Sequence, residues 1–271
     1  MKKAKNNFKP ISKKCLSLSA FGISLVISSA FAAIPSTPMG SKTTVEANIR
    51  DDLKTFHKQK KNDFQALVQK WERVYGSASA PSLLKIARDQ KTPNTDRYVA
   101  VLAHTRVRGP HDATELVGLL DDRDWMVRSA AMKSIEILGY APASTKVLEK
   151  LKTDPALVIR LQAIETLLRL RPAGLPDALL DAAMDGKNYR PANYRKGRAD
   201  WVPQRALAAL RELKPTGYSL RLLPLLNDSK DGRIRAHALH TIEVLEAKSL
   251  KAGRPFNERA AAWTGALTAS R

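Results

Sequence analysis

The chain has 271 residues, with 46 basic and 26 acidic side chains giving a formal net charge of +20, and a single cysteine. That length can bury a sizeable core, and one thiol excludes a disulfide framework and a Cys-based zinc site. The charge sets up long-range attraction to anionic partners.

Lys2, Lys3, Lys5, Lys9, Lys13 and Lys14 form a basic opening, Cys15 to Ser29 an apolar stretch, and Ala30-Phe31-Ala32 a small–x–small cleavage signature. Residues 1–32 therefore read as a signal peptide cut after Ala32. The competing reading is an uncleaved anchor, but the stretch is short for a bilayer and interrupted by Ser17, Ser19, Ser24, Ser28 and Ser29. Ser12-Lys13-Lys14 ahead of Cys15 do not suit a lipoprotein signal. Cleavage leaves 40 basic and 26 acidic residues, +14, and no cysteine. No later run is apolar enough to span a membrane, so the mature chain is expected in the periplasm or outside the cell.

Residues 33–48 have linker composition, with Pro35 and Pro38 and no periodicity. From there to residue 271 an alanine-anchored template recurs. Ala66, Ala100, Ala131, Ala163 and Ala206 each precede an apolar residue at +17 (Leu83, Val117, Leu148, Leu180, Leu223) and another at +20 (Ile86, Leu120, Leu151, Ala183, Leu226). Ala238 opens a last copy. Around the later anchors, apolar residues fall at −4, 0, +4 and +7, as in Ile159, Ala163, Leu167 and Leu170, which is one face of a helix. His104 takes the +4 place after Ala100, and the copy at Ala66 carries Lys70 and Arg73 on that face. Asp63, Asp96, Asp124, Asp154, Asp200 and Asp231 stand just ahead of these helices as expected caps. Breaks fall at Gly76-Ser77, Gly109-Pro110, Gly139 to Pro142, Pro172 to Pro176 and Pro215 to Gly217. The expectation is an all-α, right-handed α-solenoid of about six helix pairs over residues 49–271.

The chain resembles the HEAT-repeat family, which includes the short HEAT-like units of phycobilisome lyases. The resemblance rests on Asp124…Val127-Arg128…Ala131, Asp154…Ile159-Arg160…Ala163 and Asp231…Ile234-Arg235…Ala238, with Arg97 a partial match and Pro203 a break. It implies a structural ladder of Asp124, Arg128, Asp154, Arg160, Asp231 and Arg235 pairing between adjacent repeats. It says little about function, because such arrays serve unrelated tasks.

Anchor spacings of 34, 31, 32, 43 and 32 residues isolate one insert, about Asp185 to Ala199. It repeats Asn-Tyr-Arg and offers Tyr189, Arg190, Tyr194, Arg195, Lys196 and Arg198. Flat aromatic area and forked donors suit an interface, so these are the expected binding residues. The competing reading is a surface loop whose tyrosines fold back on the next repeat. The expected partner is a protein of the cell envelope or an anionic polymer. Nucleic acid is an alternative that export disfavours, although the resemblance extends to DNA glycosylases with a basic groove.

His237, His240 and Glu243 recur at steps of three, but the third falls off the face of the first two. No metal site or cofactor is expected from them. Asp121, Asp122 and Asp124 cluster at a turn where capping accounts for them. G-x-S-x-G, H-E-x-x-H and a phosphate-binding glycine loop do not occur. The chain is read as a non-enzymatic scaffold, with a HEAT-like lyase or hydrolase as the lesser alternative.

Overall fold

The computed structural model describes residues 42–58, 63–109, 113–189 and 201–269, within the second of the two units into which the chain divides, residues 36–271. Among them no strand occurs. The chain begins with α1 (Lys42–Phe56), so helix replaces the last part of the linker expected over 33–48. Val45, Ile49, Leu53 and Phe56 recur at helical spacing and are buried, which gives α1 an apolar stripe.

Six helix units follow as an α-solenoid: α2 (Phe64–Tyr75) with α3 (Ser79–Arg88), α4 (Asn94–Arg108) with α5 (Thr114–Leu119), and α6 (Trp125–Leu138) with α7 (Ser144–Thr153). Then come α8 (Leu157–Leu170) with α9 (Leu175–Met184), α10 (Trp201–Leu213) with α11 (Leu223–Asn227), and α12 (Gly232–Leu245) with α13 (Phe256–Ala269). Helices α4, α6, α8, α10 and α12 pack side by side as one layer. Each of α3, α5, α7, α9 and α11 packs closely on the helix that follows it. The closest hairpins therefore straddle the sequence repeats, because the B-to-A turn is the short, aspartate-rich one.

Ala100, Ala131, Ala163, Ala206 and Ala238 are all fully buried. A methyl at the centre of each helix lets its neighbours approach closely, which larger residues would prevent. Ala66 is the exception. It is exposed, and Val68 and Trp71 supply the buried face of α2 instead. The reason is α1, whose Asp52 accepts the Trp71 indole N–H at 2.9 Å and an ion pair from Lys70 at 2.7 Å, rotating α2 onto a different face.

Caps follow the expected aspartates in part. Asp63, Asp124 and Asp231 accept backbone N–H groups from Ala66, Met126 and Arg233. Asp154 accepts from Ala156 just before α8. Asp96 does not cap: it lies inside the first turn of α4, behind Pro93, and pairs with His57. Asp200 lies outside the described residues.

Candidate functional site

A ladder runs through the middle of the array. The Arg97 guanidinium donates to Asp122, with one bond at 3.2 Å. Arg128 donates to both carboxylate oxygens of Asp154 at 2.7 and 2.8 Å. Arg160 donates to Asn188 Oδ1 at 2.7 Å. Each arginine also holds a carbonyl of the turn ahead of its own helix, as Arg97 holds Ala87 O at 2.9 Å and Arg160 holds Asp154 O at 2.6 Å. One planar fork thus ties a repeat to the next and satisfies carbonyls that a helix end leaves open.

Two expected rungs are caps instead. Asp124 serves the first turn of α6 and accepts Asn94 Nδ2 at 2.5 Å, while Asp122, two residues earlier, receives the arginine. Asp231 caps α12, and Arg235 donates to Leu226 O at 2.8 Å and stacks on Phe256. The ladder stops there for a local reason. The arginine position three before Ala206 is Pro203, and the acceptor position nine before Ala238 is Ser229, so both ends of that rung are missing together.

The start of the insert is part of the ladder. Asn188 is buried, accepts from Arg160, and donates Nδ2 to Ala182 O at 2.8 Å. The Tyr189 hydroxyl donates to Ala183 O, and its ring packs on the core. Tyr189 thus holds the base of the insert against α9. Arg190, Tyr194, Arg195, Lys196 and Arg198 lie outside the described residues. Asn188 went unnoticed in the sequence because asparagine replaces the usual aspartate and sits eighteen residues before its anchor, Ala206.

The insert leads into Trp201, the first residue of α10, which is 44% exposed. Trp125 opens α6 and is 48% exposed, and Val158 in the first turn of α8 is 46% exposed. Three consecutive helices of one layer thus begin with an exposed large apolar side chain. Because α6, α8 and α10 pack side by side, the three side chains mark successive helix starts of that layer.

A cleft of about 570 Å³ opens between α3, α4 and α5, lined by Ala80, Pro81, Leu84, Lys85, Arg88, Asp89, His104, Arg108 and Glu115. His104 is 2% exposed; its Nδ1 lies 3.0 Å from Ala80 O and its Nε2 has no hydrogen-bond partner. Burial holds the imidazole below its ordinary pKa, and Arg108 and Arg88 push the same way against the Ala80 carbonyl and Glu115. The one sequence signal was a histidine in an otherwise apolar helix position.

The remaining sequence candidates are drawn apart. His237 and His240 line a shallow cleft with Gln204, Arg233 and Ala236, while Glu243 pairs with Arg259 at 2.5 Å and Ser249 at 2.6 Å. Asp121 takes Lys146 and Lys150, at 2.9 and 2.6 Å, so the acidic cluster is divided among separate partners. Among the described residues no helix is long and apolar enough to cross a membrane.

Residues 80–168 match the family model for HEAT repeats. The match covers Arg97, Asp122, Arg128, Asp154 and Arg160 of the ladder. No curated protein matches the chain.

Proposed function

We propose that this HEAT-repeat array is an exported, non-enzymatic scaffold that docks an acidic protein of the cell envelope across the insert and the neighbouring row of helix starts. HEAT repeats commonly serve as protein-interaction scaffolds. The observation that carries the reading is the placement of the insert. It is tied down at Asn188 and Tyr189 and leads into exposed Trp201, which with Val158 and Trp125 opens three successive helices of one layer. Aromatic side chains beside arginines are what interface centres use, and the net charge of +14 left after cleavage favours an acidic partner. Export rests on the leader pattern in residues 1–32, and cleavage should give a mature chain starting at Ala33 by N-terminal sequencing.

The test is capture from an envelope extract at moderate salt by three proteins: the parent, a deletion of residues 190–199, and a Trp125→Ser, Val158→Ser double variant. One protein retained by the parent and lost by both variants supports the reading. Equal retention by all three overturns it. A second reading, an array for an anionic polymer, is favoured by the charge alone. It predicts binding that collapses between low and moderate salt whichever variant is used.

A further inference from the structure

We propose that the cleft between α3, α4 and α5 binds a carboxylate carried beside an amide N–H on an apolar body, the chemistry shared by a peptide C-terminus and a free N-acylated amino acid. Three features of the cleft each select one part of that ligand.

The first is charge. Lys85 on α3 and Asp89 just after it are already paired with Glu46 and Arg50 of α1, at 2.7 and 3.0 Å. Arg88 and Arg108 line the cleft and make no hydrogen bond or ion pair among the described residues, and the remaining charge is Glu115. The balance is one net positive charge, which suits a monoanion better than a doubly charged phosphate. The forked donors of Arg88 and Arg108 match the oxygens of a carboxylate.

The second is the histidine. A carbonyl can only accept, so His104 Nδ1 must donate to Ala80 O, which leaves a lone pair on Nε2 of the neutral ring. That nitrogen is buried without a partner, a costly state for a polar atom. Glu115 Oε2 lies 3.7 Å away and is itself an acceptor, so it cannot satisfy a neutral imidazole. Glu115 is 37% exposed at the rim and can turn into solvent, and an incoming N–H then completes the ring. The third is the wall: Ala80, Pro81 and Leu84 offer apolar surface beside the arginines. The volume of about 570 Å³ lies within the roughly 300–1,000 Å³ of small-ligand sites.

None of these residues belongs to the insert or to the row of helix starts, so the site stands or falls apart from the docking surface proposed above. Calorimetry on the whole chain would compare a pentapeptide ending in leucine, its C-terminally amidated form, N-acetyl-leucine and inorganic phosphate. The free-carboxylate peptide should bind, and amidation should weaken it at least tenfold. Arg88→Gln and Arg108→Gln should do the same with unchanged circular dichroism, since both side chains are exposed, whereas Lys152→Gln should leave binding intact. Equal affinity for N-acetyl-leucine assigns the site to a free acid, and tighter binding of the peptide assigns it to the C-terminus of a partner; both support the proposal. Equal binding of the amidated peptide, tighter binding of phosphate, arginine variants that bind like the parent, or no binding at all would overturn it.

Discussion

Asp154 is buried against Arg128, which is itself nearly buried, and both oxygens are engaged. Removing one partner of such a pair strands a charge away from water, and the loss exceeds what the intact pair contributes. Asp154→Ala should therefore destabilise the protein by about 3–5 kcal/mol in urea unfolding. A loss below about 1 kcal/mol would place the rung in solvent instead. The neighbouring rung supplies a pH handle. Burial alone would raise the Asp122 pKa, but hydrogen bonds from Arg97, the Asp124 backbone and Gln90 outweigh it and hold the value below the ordinary 3.8. A carboxyl with a lowered folded pKa contributes stability that is fully present above the unfolded value and is lost as pH falls through the folded one. Stability should thus be level above about pH 5 and fall below about pH 4. Asp122→Asn should be less stable than the parent at neutral pH and show a flatter acid limb.

At the scale of elements, α8 and α10 are followed by non-glycine residues of positive φ, Arg171 and Lys214. Arg171 closes α8 with φ 54° and ψ 48°, in the left-handed region, where α6 uses Gly139; α2 and α4 also end on glycines of positive φ. The exposed Arg171 side chain has nothing to lose there, so Arg171→Gly should raise stability by roughly 0.5–1 kcal/mol, seen as a higher Tm. The insert divides into a base and a tip with opposite expectations. Asn188→Ala leaves the buried Arg160 without its side-chain acceptor and should cost about 1.5–3 kcal/mol. Deleting residues 190–199 removes none of the described contacts and should leave helical content and unfolding midpoint nearly unchanged. Reversal of that order would show the tip, not the base, to be the structural part. The template exposed most of this architecture because a strict alanine position and a 3.6-residue stripe follow directly from close helix packing. It failed at Ala66, where a helix outside the template sets the buried face, and at Asp124, since the cap and the rung are both aspartates and stand two residues apart. The site was less legible. Arg88, His104, Arg108 and Glu115 come from three helices and share no spacing, so only folding brings them to one cleft.

At the scale of the whole molecule, each helix unit touches its neighbours and little else, so stability and failure are both local. The layer from α4 to α10 is joined by polar bonds as well as by the ladder, among them Ser129 to Gln162 at 2.8 Å and Arg205 to Glu165. Between α10 and α12 the arginine rung is missing, and Thr241 makes the polar links beside the apolar packing, accepting from Arg211 at 2.9 Å and donating to Leu207 O at 3.5 Å. The charge of the chain adds a salt-dependent attraction to acidic partners without altering this pattern.

Pulled by its two ends, the protein becomes a row of joints in series, and the tension is the same at every one. Within the layer from α4 to α12, the joint between α10 and α12 bears that load without an arginine rung. In single-molecule stretching, α12 and α13 should therefore peel away first, as a separate step at lower force than the rest. Restoring the rung with the pair Pro203→Arg and Ser229→Asp should merge that step into the main one; a first step that instead involves the N-terminal helices would show that the ladder does not set mechanical order.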